Sequence, residues 1–112
     1  MDCIFCKIAA GQIKTNVIFE NSHVAAFRDA KPQAPVHILV VPKKHIPRLS
    51  DVGDADAKIV VEIHKAVRSL IQQERIQNGY RLVVNEGADG NQTVPHLHFH
   101  LIAGRPMTWP PG

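Results

Sequence analysis

Residues 96 to 102 read HLHFHLI, placing His96, His98 and His100 at every second position with Leu97, Phe99 and Leu101 between them. A strand sends residues i, i+2 and i+4 to one face, so this spacing predicts three imidazoles on one surface and three apolar side chains on the other. A lone strand histidine is most often a solvated side chain, but three of the chain's seven in register point to chemistry that needs imidazole as ligand, base or nucleophile. Same-face neighbours on a strand lie about 6.5 to 7 Å apart. All three therefore converge poorly on one tetrahedral ion, and two of them with a group from elsewhere make the simpler metal site. The other reading is phosphate chemistry, in which a neutral imidazole attacks phosphorus while a neighbour holds the non-bridging oxygens. The preceding GADGNQTV suits it, since loop N–H groups form anion-binding concavities, although such loops are commonly only turns.

Cys3 and Cys6 are the only cysteines. They are too close to staple a fold, and a C-x-x-C without a secretory signal favours metal or redox chemistry over a structural disulfide. No basic segment followed by an apolar core opens the chain, and no apolar run approaches the ~18 residues of a membrane span, so a soluble cytoplasmic protein is expected. A net charge of +3 with scattered Lys and Arg suits a small anionic ligand at least as well as a nucleic-acid groove. Length and a 45% hydrophobic content fit one domain spanning residues 1–112 with one core.

The elements that must position these residues follow from periodicity and punctuation. MDCIFCKIAAG reads as a short helix with Asp2 as N-cap and Gly11 as stop. VIFE (17–20) and HVAAFRD (23–29) flank the turn formers Asn21-Ser22 and predict a hairpin, and VHILVVP (36–42) has the continuous apolar character of a central strand. From residue 54 the chain shows helical spacing at Ile59, Ile63, Val67 and Leu70, with Gly79 as its stop. YRLVVN (80–85) and the histidine segment form a last, long-looped hairpin. The expectation is an α+β fold, an antiparallel sheet of about five strands with one long and one short helix.

NQTVPHLHFHLI resembles the His-x-His-x-His signature of the histidine triad family, and RDAKPQAPVHILVVPKKHI, GYRLVVNEGADGNQ and the terminal WPPG are similar to its Hint branch, in order from about Cys3 to Gly112. The resemblance implies a homodimeric HIT-like fold that binds purine nucleotides such as AMP or GMP. It further implies hydrolysis of nucleoside 5′-phosphoramidates through a covalent nucleotidyl-histidine, with no cofactor required for catalysis and no nucleic-acid or membrane partner. On that likeness His98 is the nucleophile, His100 contacts the α-phosphate, and His37 and His96 support them. Asp29, with Ala30 beside it, takes the ribose hydroxyls. Phe5, Ile8 and Phe27 line the base pocket. Asn85, Asn91, Gln92 and Thr93 bind phosphate, and Thr93 also assists the leaving amine.

The chain departs from that branch at Asn91, where Gly is usual, at Thr93, where Ser is usual, and at Pro95, where an aromatic is usual. The resemblance also aligns Cys3, Cys6, His45 and His96 with a structural zinc site of some branches. Two readings of the cysteines stay open, that site or two free thiols. Two other functions stay open as well: dinucleoside polyphosphate hydrolysis, as in the related Fhit branch, and a nucleotide-binding regulatory or interaction module.

Overall fold

The computed structural model describes residues 3–112. Its elements are α1 (Ile4–Ala9), β1 (Val17–Glu20), β2 (Val24–Arg28), β3 (Val36–Pro42), α2 (Ala57–Gln73), β4 (Tyr80–Val84) and β5 (Phe99–Ala103), with short 3-10 turns at Leu49–Asp51 and Asp54–Asp56. The five strands form one antiparallel sheet in the order β1-β2-β3-β5-β4. This is the expected α+β arrangement of one sheet, one long helix and one short one.

Alternation along β2 and β3 sorts side chains to two faces. Val24, Ala26, Ile38 and Val40 join Leu97, Phe99 and Leu101 in the main core, where α2 adds Ile59, Ile63, Ala66, Val67 and Leu70. Fully burying each large member of that stripe stabilises the fold by about 1.5 to 3 kcal/mol. Ala25, Phe27, Leu39 and Val41 point to the opposite face and meet Cys3, Phe5, Ile8 and Ala9 of the α1 segment. The predicted division between apolar spacers and histidines therefore holds, with Leu97, Phe99 and Leu101 anchoring the segment from behind.

Two expectations are corrected. Regular strand structure begins only at Phe99, because Pro95 lacks a backbone donor and the chain enters β5 through a bend that ties His96 N–H to Val94 O and Leu97 N–H to Ile46 O. His96 and His98 thus precede the strand, and only His100 lies on it. The predicted cap Asp2 lies outside the described residues; Cys3 caps α1, its sulfur accepting from Cys6 N–H at 3.4 Å. α2 does not run on to Gly79. It ends at Gln73 with Glu74 as its C-cap, and Arg75 turns left-handed at φ 54. Arg75 N–H then bonds Gln72 O and Ile76 N–H bonds Ile71 O, the paired pattern of a Schellman stop. A non-glycine residue in this conformation costs about 1 kcal/mol.

Candidate active site

The site forms where β3 and β5 lie side by side. Their register pairs His37 with Ile102 and Leu39 with His100, so His37 and His100 are diagonal neighbours on one face. His37 Nε2 lies 2.9 Å from His100 Nδ1. The direction of that bond is set upstream: Gln33 N–H points at His37 Nδ1 at 3.0 Å, so Nδ1 accepts and the ring's hydrogen resides on Nε2. His37 therefore donates to His100 Nδ1, which leaves the His100 hydrogen on Nε2. That nitrogen is buried and has no hydrogen-bond partner among the described residues. A buried donor without a partner costs about 1 to 3 kcal/mol, which marks it as a position awaiting an acceptor.

His98 is oriented by the opposite logic. Its Nδ1 lies 2.8 Å from the His96 carbonyl, and a carbonyl only accepts, so Nδ1 carries the hydrogen and Nε2 is left with its lone pair. The His98 ring packs edge-on against Phe5 at 5.1 Å and against His100 at 5.0 Å between centroids. The site thus presents a bare nitrogen on His98 beside a protonated, unpartnered nitrogen on His100, a free lone pair next to a donor.

Burial, followed by the charges of His98 and His37 and opposed by Asp29, brings the His100 pKa down to about 4. Burial likewise lowers His37, with Asp29 opposing. Both rings are neutral near pH 7, as the tautomer argument requires. The same shifts predict a stability profile. An unfolded imidazole titrates near 6.5 and folded His100 near about 4, so between those values the unfolded chain binds more protons. Stability is fully retained above about pH 6.5 and falls as the pH drops through about 4. Urea melts across that window should show a loss of midpoint that His100→Asn partly flattens; an equally steep loss in the variant would contradict the assignment.

Asp29 lies on the same Nε2 side of His37 as His100. One carboxylate oxygen accepts Lys31 N–H at 2.8 Å and the other lies 3.4 Å from His37 Nε2, with Ala30 exposed next to it. Phe5, Ile8 and Phe27 are buried in the apolar cluster beneath the histidines, and Phe5 meets Phe27 edge-on at 5.5 Å. Asn85 is half-buried at the end of β4, while Asn91 and Thr93 are exposed in the following loop. Asn91 takes φ 60, a left-handed conformation that Asn tolerates better than most residues. Gln92 serves its own loop: its amide donates to Pro47 O at 2.7 Å and Val94 O at 3.0 Å and accepts Gly87 N–H at 3.2 Å. Glu86 fastens the same loop to Ser50 through contacts of 3.0 and 2.7 Å, and at Gly90 a Cβ would come within 2.4 Å of Glu86 O.

The fourth imidazole, His96, belongs to a separate arrangement. His96 is fully buried, and its Nε2 donates to Pro42 O at 2.8 Å, so its Nδ1 lone pair faces Cys3 Sγ at 3.3 Å, Cys6 Sγ at 3.4 Å and His45 Nδ1 at 3.2 Å. His45 Nδ1 also lies 3.2 Å from Cys6 Sγ. For zinc–nitrogen and zinc–sulfur bonds of about 2.05 and 2.3 Å, tetrahedral ligands sit about 3.3 Å apart for two nitrogens and about 3.6 Å for nitrogen and sulfur. These four separations fit such an ion within a few tenths of an ångström, all four ligand atoms lie within 4.8 Å of one another, and the Pro42 carbonyl orients His96 as metal-bound histidines usually are oriented.

The residues missed in the sequence act through their backbones or beside the site: Gln33 N–H, the Pro42 carbonyl and the Glu86–Ser50 tie. Backbone groups carry no side-chain signature, so only the fold reveals them.

A family profile described as HIT domain matches residues 10–107. The chain is 43% identical over 111 residues to an uncharacterized HIT-like protein of Synechococcus elongatus, covering 99% of this chain and 97% of that one. A HIT family hydrolase from Legionella pneumophila superposes with a TM-score of 0.95 at 49% identity, covering 99% of this chain and 100% of that one. A histidine triad protein from Clostridium difficile does so with a TM-score of 0.93 at 46% identity, covering 96% and 95%. With a histidine triad at its site and its length matched almost end to end, the chain belongs to the HIT domain family.

Proposed function

We propose that the protein is a nucleotide-binding hydrolase that cleaves nucleoside 5′-phosphoramidates, of the Hint type, through a nucleotide covalently held on His98. The observation that carries this reading is the pair of complementary tautomers, His98 with a bare Nε2 and His100 with a protonated and unpartnered Nε2. In the first step His98 Nε2 bonds to the α-phosphorus, the bond from phosphorus to the leaving nitrogen breaks, and the amine takes up one proton that solvent delivers through the Thr93 hydroxyl. The His96 carbonyl holds His98 Nδ1–H while positive charge spreads over the ring, and His100 Nε2–H donates to a non-bridging oxygen. Water then attacks phosphorus, the bond to His98 breaks, and the proton released restores the one the amine removed. Asp29 receives the ribose hydroxyls, Phe5, Ile8 and Phe27 form the floor beneath the purine of AMP or GMP, and Asn85, Asn91, Gln92 and Ala30 complete the nucleotide site.

Cys3, Cys6, His45 and His96 hold a structural zinc in this reading. Bound there, the ion cross-links the N-terminal segment to the catalytic one, and no chemical step passes through it. Catalysis itself needs no cofactor. The edge strand β4 supports a homodimer, since it leaves one side unpaired in the sheet order and exposes Tyr80 and Leu82, a surface a second copy would cover.

The test is a quenched reaction with adenosine 5′-monophosphoramidate followed by peptide mass analysis. A nucleotidyl adduct on His98 and release of AMP are expected. Turnover with the adduct on another residue, or no turnover while a dinucleoside polyphosphate is cleaved, would replace this reading.

A further inference from the structure

His37 is held between two hydrogen bonds of opposite sense, accepting from Gln33 N–H and donating to His100. The group at the head of that series belongs to the irregular segment between β2 and β3, so sheet pairing alone does not place it. The turn beyond β5 does. Arg105 Nε donates to the Gln33 carbonyl at 2.9 Å and Nη1 donates to Pro106 O at 3.2 Å, so one guanidinium spans the segment and its own turn. Next to it, Gly104 adopts φ +96, and a Cβ there would stand 2.9 Å from Pro35 Cβ. The turn therefore grips the segment at both Gln33 and Pro35.

Releasing that grip has a defined alternative. An Asp29 carboxylate oxygen lies 3.4 Å from His37 Nε2, longer than the 2.9 Å to His100 but a stronger acceptor by charge. While Gln33 N–H occupies Nδ1, the ring is fixed and its single hydrogen goes to His100. Without that N–H the ring is free to turn its hydrogen to Asp29 or to carry it on Nδ1, and His100 Nδ1 loses its donor.

We propose that Arg105 is a positioning residue: by holding the Gln33 carbonyl it keeps Gln33 N–H on His37, which holds His37 and then His100 in the tautomers that present His100 Nε2–H to the phosphoryl group. Arg105 is exposed, and a hydrogen bond at such a site contributes little to global stability, so its effect falls on the tautomers. The kinetic half of this inference rests on the phosphoramidate reading; the tautomer half concerns the nucleotide-free protein.

The experiment compares wild type with Arg105→Ala and Arg105→Lys by proton–nitrogen correlation spectra of the histidine rings, then by kinetics on adenosine 5′-monophosphoramidate. Wild type should show His37 and His100 each protonated on Nε2 alone. Arg105→Ala should add a second tautomer population for both rings and lower kcat on the order of 10-fold, the usual scale for an outer-shell partner, with KM little changed. Arg105→Lys, which keeps one donor but cannot span both carbonyls, should fall between. Gly104→Ala pushes on Pro35 from the same turn and should give the same spectral change without removing the guanidinium. Ring spectra identical to wild type in Arg105→Ala overturn the proposal, as does a changed spectrum with unchanged kcat. Should wild type turn over no phosphoramidate, the functional reading fails, and the ring spectra still decide whether Arg105 sets the tautomers.

Discussion

His98→Ala is expected to lower phosphoramidate turnover by at least about 10⁴-fold, the scale seen when a covalent nucleophile is removed, while AMP still binds. The two effects separate because they belong to different atoms. The bond to phosphorus needs the bare Nε2 that the His96 carbonyl exposes by engaging Nδ1. In the proposed reading affinity draws on His100 Nε2–H, the loop before the triad and the Asp29 side, none of which requires the His98 ring. His98→Asn sharpens the test, since its amide can keep a donor toward His96 O but has no nucleophilic nitrogen. Calorimetric titration with AMP and single-turnover assays on the same preparations measure both. Turnover of the Asn variant near the wild-type rate would remove His98 from the chemistry, and loss of binding in step with loss of turnover would make it a ligand contact instead of a nucleophile.

The sequence could announce this site only as far as side-chain type and period allow. β3 was legible end to end because seven consecutive residues must be compatible with burial on both faces, and Val36–Pro42 are nearly all apolar. The long helix was legible from its stripe, but not its stop: Arg75 takes the left-handed position usually read from glycine, and no rule of composition marks an arginine for it. The histidine period separated spacers from imidazoles correctly, yet read His96 and His98 as strand. The bend after Pro95 depends on Leu97 N–H reaching Ile46 O, residues far apart in the chain. That bend divides the three rings between two tasks, and a simple alternation has no term for it. Likewise the tautomers, on which the proposed chemistry depends, are set by Gln33 N–H and by the His96 and Pro42 carbonyls. Every residue carries such groups, so their use is visible only once the fold has brought them to a ring.

The largest expected effect on stability comes from the cysteine-histidine cluster. Zinc-loaded protein should contain close to one equivalent per chain, and its removal, or the double change Cys3→Ser with Cys6→Ser, should lower stability by about 3 to 4 kcal/mol, as expected for a ligand held at 100 to 1,000 times its dissociation constant. That corresponds to a Tm lower by about 10 to 20 °C for a domain of this size. α1 spans only six residues, with no acidic side chain in its first turn, far short of the ~12 to 15 at which an isolated helix is even marginal. What holds it is the small cluster of Phe5, Ile8 and Ala9 against the sheet and the meeting of its two sulfurs with His45 and His96. Without the ion, two imidazole nitrogens 3.2 Å apart can satisfy one another with a single hydrogen, and the thiols make only weak bonds. The cross-link is then lost although the contacts remain. Because His96 offers its side chain to this cluster and its carbonyl to His98, metal loss should also loosen the nucleophile, but by far less than deleting it: the carbonyl is placed as well by the buried Leu97 and the Pro42 bond. Elemental analysis and thermal melts, on protein made without chelator, check this directly. Less than a tenth of an equivalent of zinc, or a Tm that does not move on chelation of zinc-loaded protein, would leave the cysteines as two free thiols packed beneath the site.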